Sequence, residues 1–187
     1  IIFWGDDPAV PQASGLPCIR VMEEDSGSPR KYSNVVTDDF EGGQLAVNHL
    51  LELGHEKIGI VLPQGGDSVY QKRRLAAYIS CMEEAGELPA EPIEVPGDWG
   101  KMNRIRPIRE NRTLLKQFTE FTALFCFNDA LAGEVIKYLK HHGISVPEDI
   151  SVVGYDDTEF GWALDITSIK QPIELIGAKA ADLLVQQ

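Results

Sequence analysis

The chain has 187 residues, 43% of them hydrophobic, and its 17 Lys and Arg against 29 Asp and Glu give a formal charge of −12. That length fits one ordinary domain or two small lobes, and no window reaches the roughly 18 apolar residues of a membrane helix. So acidic a surface is a poor partner for phosphate backbones or anionic lipid, so DNA contacts are not expected from this segment even if the intact protein binds DNA.

The three cysteines, Cys18, Cys81 and Cys126, are far apart and odd in number. They read as buried, reduced thiols of a cytoplasmic protein, not as a disulfide framework or a zinc site. Residues 1–4 form an apolar strand with no initiator Met and no signal-peptide pattern around it, so the segment is expected to be a piece of a longer polypeptide. A Pro/Ser/Gly-rich passage runs to Pro17, and 18–22 reads as a second strand. Residues 23–30 carry acids, serines, a glycine and a proline and are expected as an exposed loop. The next strand spans 33–37, centred on Val35 and Val36.

Asp38-Asp39-Phe40-Glu41-Gly42 leads into a helix, with Ala46, Val47, Leu50 and Leu51 on one face and Gly54 as its stop. Residues 57–62 are a buried strand with Pro63-Gln64-Gly65-Gly66 as its exit. Ser68 can cap a helix to about Ala85. A strand over 91–95 empties into Gly97-Asp98-Trp99-Gly100. Residues 101–112 are basic and poorly periodic, with a helix emerging near 110–118. A strand over 123–127 precedes Asn128-Asp129, which opens a helix with Leu131, Val135 and Leu139 in one row. Gly143 closes that helix and Pro147 prevents its resumption. Residues 151–155 form an apolar, β-branched strand ending in Asp156-Asp157, and 166–170 a short one. Pro172 stands at the first position of a helix reaching the C-terminus. Strands alternating with amphipathic helices over short connections are the sequence form of an α/β fold with a doubly wound parallel sheet.

In such a sheet ligands bind outside the carboxyl ends of the strands. Polar residues gather there: Asp38 and Asp39, Ser68 to Arg74, Asp98 and Trp99, Asn128 and Asp129, Asp156 and Asp157, and Gln171. Carboxylates, amides, a guanidinium and an indole suit a polyhydroxylated ligand, whose hydroxyls donate and accept while its CH face packs on a ring. No His or Cys joins the set, so it does not offer a nucleophile beside a base. Simpler roles stand beside these. Asn128 or Asp129 fits a helix cap, Gln171 a cap of the last helix, Arg74 a solvated helix face, and Trp99 the cover of a small cluster. His141-His142 fits an exposed helix end, and His49 and His55 have no partners at metal-ligand spacing. Gly65-Gly66 follows a strand, yet neither G-x-x-x-x-G-K-[ST] nor G-x-G-x-x-G is present. Asp156-Asp157 could hold Mg²⁺ or receive a phosphoryl group, but no lysine or threonine is placed beside them as that chemistry would want.

Val35-Val36-Thr37-Asp38-Asp39-Phe40-Glu41-Gly42, His49-Leu50, Leu53-Gly54-His55, Arg74-Leu75-Ala76-Ala77-Tyr78 and Gly97-Asp98-Trp99 resemble, in this order, the ligand-binding domain of LacI/GalR-type transcriptional regulators. Asn128-Asp129-Ala130-Leu131-Ala132, the run from Val146 to Asp157, Thr167-Ser168-Ile169-Lys170-Gln171-Pro172 and Ile176-Gly177 continue the resemblance. It implies a periplasmic-binding-protein-like domain of two α/β lobes with an effector in the cleft, no cofactor and no enzymatic activity. It implies that 1–20 is a remnant of the N-terminal lobe, 21–170 the C-terminal lobe and 171–187 a helix returning to the first. Effector contacts carry over to Arg74, Trp99, Asn128, Asp156 and Gln171, with Tyr70 and Asp6 as secondary contacts. The implied partners are a small carbohydrate effector, DNA through a helix-turn-helix lying outside this chain, and a second copy in a homodimer. Phe160 and Trp162, on a loop with little core periodicity, are assigned to that dimer contact. The chain departs from the family pattern at Ala77, where Gly is usual, across 101–111, and before Thr167, where prolines are lacking. The alternatives are a periplasmic sugar- or solute-binding protein and an Asp-dependent phosphotransfer α/β domain.

Overall fold

The computed structural model describes residues 1–4, 16–22, 33–66, 68–96, 108 and 111–186. Asp6 and Trp99 lie outside them, as do the expected loop over 23–30 and residues 101–107 and 109–110 of the basic stretch. The chain divides into two compact units, Ile1–Asp38 with Gln171–Gln187, and Asp39–Lys170.

The smaller unit has three parallel strands, β1 (Ile2–Trp4), β2 (Ile19–Val21) and β3 (Ser33–Val35). Ile2 lies opposite Ile19, and Ile19 opposite Ser33. The first segment of this unit runs to Asp38. The backbone groups of Val21 and of β3 find their partners in the ladder begun by β1, which keeps 21–38 with this unit. β3 is shorter than expected, since Val36 is exposed beyond its end.

The larger unit runs α1 (Asp39–Glu52), β4 (Ile58–Pro63), α2 (Val69–Glu84), β5 (Ile93–Val95) and α3 (Arg112–Phe118). It continues with β6 (Ala123–Cys126), α4 (Asp129–His141), β7 (Ser151–Asp156), α5 (Glu159–Ala163) and β8 (Thr167–Lys170). Gly54 and Gly143 follow α1 and α4 at φ 88° and 78°, left-handed positions that end a helix at little cost only in glycine. Ser68 and Asn128 cap α2 and α4 through side-chain oxygens that accept from Gln71 N and Leu131 N. The stretch holding Phe160 and Trp162, expected as a loop, is the short helix α5 capped by Thr158. Five residues are too few to display a helical period.

All five strands are parallel, in the order β5-β4-β6-β7-β8. Alternate residues feed opposite faces. Ile58, Ile60, Leu62, Phe125, Val153 and Tyr155 join the core beneath α1 and α2, while Val61, Leu124, Cys126 and Val152 join the one beneath α3 and α4. The chain reverses its direction of travel across the sheet between β4 and β6. There the helices that follow the two strands lie on opposite faces, and at such a switch point ligands bind outside the carboxyl ends of the strands.

The last helix, α6 (Ile173–Val185), turns Ile176 and Ala180 inward in the smaller unit. Pro172 occupies its N-cap, one position earlier than expected, so Gln171 is not the cap residue.

Candidate ligand-binding site

The exit of β7 carries unusual backbone geometry. Asp156 and Asp157 adopt φ of 103° and 50°, values that non-glycine residues rarely take and that persist only where surrounding structure imposes them. Asp157 N donates to Ser168 Oγ at 3.0 Å, which ties this exit to β8. Asp156 keeps its side chain 30% exposed.

Beside it stands Arg74, from the second turn of α2 and only 4% exposed. The solvated-face reading of this residue is thereby replaced. Its Nε and Nη2 both donate to Asp39 Oδ1, at 2.9 and 2.6 Å, and its Nη1 donates to the Phe127 carbonyl at 2.5 Å. The guanidinium lies 3.5 Å from the centre of the Tyr155 ring and 4.6 Å from that of Phe127. Nη2 also approaches Asp156 Oδ1 to 3.9 Å, an ion-pair distance too long for a hydrogen bond. One cation thus links three parts of the rim: the start of α1, the exit of β6 and the exit of β7. Gly42 makes this possible, because any Cβ there would collide with the Tyr155 hydroxyl. Burial raises the Tyr155 phenol far above its ordinary value of 10.0; Arg74 opposes the shift, and Asp39 and Asp156 add to it.

Asn128, half-buried, spends its side-chain oxygen on Leu131 N at 2.9 Å. The cap reading holds for it, and the residue follows Phe127, whose carbonyl Arg74 grips, at the exit of β6. Asp129 is fully buried and accepts from Thr158 N, Thr158 Oγ1 and Ser168 Oγ. Tyr70 is half-buried in the first turn of α2, four residues before Arg74 and so on the same side of the helix. Gln71 donates to the Pro63 carbonyl at 3.3 Å, and its side chain fills the space that Gly66 leaves open, which accounts for that glycine without a bound phosphate. Gln171 belongs to the smaller unit, where it is buried.

Arg74, Asn128 and Asp156 therefore come together at the carboxyl edge of one sheet. Asp39, Tyr155 and Phe127 complete the cluster, although none belongs to the contact set drawn from the resemblance. Their signal in the sequence was position alone: each lies at a strand exit or helix start.

Phe160 is half-exposed with its ring over Gly133, while Trp162 is 81% exposed. His55, at the other end of the sheet, pairs with Thr122 Oγ1 and Ser151 Oγ at 3.0 and 3.1 Å and so joins the starts of three strands. An open depression of about 500 Å³ near Lys57, Glu87 and Phe121 also lies at that amino end, away from the strand exits. Among the described residues, no group of three His, Cys, Asp or Glu side chains could hold a metal ion. No helix among them is long and apolar enough to cross a membrane.

Residues 47–187 match the family described as periplasmic binding protein-like domain. The chain is 33% identical over 175 residues to the HTH-type transcriptional repressor PurR of Aliivibrio salmonicida (strain LFI1238), covering 92% of this chain and 50% of that protein. It spans about half the length of the curated relatives it matches. Among solved structures it is similar to a transcriptional regulator CelR–cellobiose complex, at 30% identity and TM-score 0.78, over 98% of this chain and 57% of that one. It is also similar to a LacI family transcriptional regulator from Enterococcus faecium with bound ribose, at 30% identity and TM-score 0.74, over 93% of this chain and 63% of that one.

Proposed function

The chain belongs to the periplasmic binding protein-like domain family, in the form that LacI-type transcriptional regulators carry, and we propose that it senses a small carbohydrate effector for a bacterial repressor. The observation that supports this most is the meeting of Arg74, Asn128 and Asp156 at the switch point of the parallel sheet. In this reading Asp156 accepts from sugar hydroxyls, the Asn128 amide donates to them, and Arg74 holds the charge balance of the rim. Tyr70 presents its ring face to the sugar, and Trp99, Gln171 and Asp6 are further contacts that the family resemblance implies. Two similar regulators hold cellobiose and ribose, which favours the same ligand class. The chain acts as a binding protein, not an enzyme, in the cytoplasm, and needs no cofactor. DNA is contacted by a helix-turn-helix elsewhere in the polypeptide, since a charge of −12 repels phosphate. Effector shifts DNA affinity only as far as it prefers one of two arrangements of the protein.

Calorimetry on the intact polypeptide with cellobiose, ribose, adenine and guanine tests the ligand class. Binding of a sugar with Kd of about 1–100 μM, weakened about tenfold or more by Asp156→Asn, is expected. Binding of a purine alone would replace the carbohydrate class, and binding of none would reject the effector reading.

The proposed partner at Trp162 is a second copy of the chain. An indole left 81% exposed on a capped helix fits a contact between copies. The mass in solution should be that of a dimer and fall to that of a monomer in Trp162→Ser; an unchanged mass removes the assignment.

A further inference from the structure

We propose that Asp129 is a positioning residue whose buried carboxylate sets the exit of β7 and so presents Asp156 to the effector. The proposal rests on the reading of Asp156 as an effector contact.

Asp129 has no exposed surface, so its charge must be met by hydrogen bonds. Three arrive from other elements. Oδ2 accepts from Thr158 N at 2.7 Å and from Thr158 Oγ1 at 2.9 Å, and Oδ1 accepts from Ser168 Oγ at 2.5 Å. The Ser168 hydroxyl spends its one proton on Asp129 and accepts from Asp157 N at 3.0 Å. A relay thus runs from the Asp157 amide through Ser168 to Asp129. Thr158 plays the matching part on the other side: it donates to Asp129 and accepts from Gly161 N at 3.1 Å, capping α5. The carboxylate therefore holds the segment that starts one residue after Asp156.

Two glycines leave room for it. A Cβ at Gly154, within β7, or at Gly161, within α5, would collide with the Asp129 carboxyl group. An acid in the first turn of α4 would interact favourably with the helix dipole wherever its side chain pointed. That general effect requires neither the cleared space nor donors from two other elements. The segment so held begins at Asp157, the second of two adjacent residues with positive φ, where backbone strain has to be imposed from outside.

The test uses Asp129→Asn, which swaps an acceptor for a donor, and Ser168→Ala, which cuts the relay but leaves both Thr158 bonds. Amide hydrogen exchange at Asp157, read by NMR without any sugar, should speed up about tenfold or more in both variants, while Leu124 in β6 keeps its protection. Unchanged exchange at Asp157 in Ser168→Ala overturns the proposal, whether or not Asp129→Asn folds. Cellobiose and ribose are then titrated into wild type, Ser168→Ala, Asp156→Asn and the double variant. Ser168→Ala should weaken the bound sugar about tenfold, and that loss should vanish in the Asp156→Asn background. An equal loss in both backgrounds would show that Ser168 does not act through Asp156 and overturns the proposal. If wild type binds neither sugar, the carbohydrate reading fails, and the exchange rate at Asp157 alone decides the positioning role.

Discussion

Arg74 and Asp39 form a buried ion pair, 4% and 2% exposed, and the guanidinium lies over the rings of Tyr155 and Phe127. Such a pair adds little net stability over apolar residues of the same size, but breaking it from one side leaves a charge without its partner. Arg74→Met should therefore lower stability by about 3–5 kcal/mol, read from the urea midpoint, because Asp39 stays buried. Asp39→Asn in the same chain should restore part of that loss by removing the stranded charge. Full stability in Arg74→Met would mean that Asp39 is served equally well by other groups. At this scale the sequence shows Arg74 as a candidate but not its confinement. Its main partner stands 35 residues away, and nothing in the local pattern pairs the two.

At the scale of the element, α4 begins with two adjacent residues that do different work. Asn128 closes the first turn through its oxygen, and Asp129 reaches across to α5 and β8. The cap needs only an acceptor, whereas a sugar hydroxyl acceptor needs the amide donor. Asn128→Ala should cost about 1 kcal/mol of stability. Asn128→Asp keeps the cap and should melt within a few degrees of wild type, yet bind the effector about tenfold more weakly. Melting curves and calorimetry on both variants separate the roles, and equal affinity in Asn128→Asp would remove Asn128 from the contact set. The helices, their caps and their glycine stops were legible because each signal sits within a few neighbouring residues. The helix α5 was not, since its fold is imposed by Thr158 and by Asp129 beneath it.

Across the whole molecule, the two faces of the sheet bury groups that resist ionisation. Burial raises the Cys126 thiol from its ordinary 9.0 and the Tyr155 phenol from its ordinary 10.0. In the folded state both stay protonated at pH values where the unfolded chain loses the proton. Below pH 9 both states hold these protons and the two groups give no pH dependence. From pH 9 upward for Cys126, and from pH 10 for Tyr155, stability should fall by about 1.4 kcal/mol per pH unit for each group. Tyr78 and Tyr138, also raised by burial, add to the slope. Thermal unfolding at pH 8 and pH 11 measures the total, and Tyr155→Phe should flatten the upper part; an unchanged slope would mean that Tyr155 ionises as freely folded as unfolded. By itself, the sequence determined the alternation of strands and helices, the parallel α/β class and the rim on which a ligand site would form. Those follow from apolar periodicity, caps and turn residues, which act over one or two turns of chain. Only the tertiary structure decided where one unit ends and the next begins, that Arg74 belongs to Asp39, and that Asp129 answers to a serine 39 residues away. These depend on which strands share a ladder and which buried charges face each other, and packing sets both between residues that are distant along the chain.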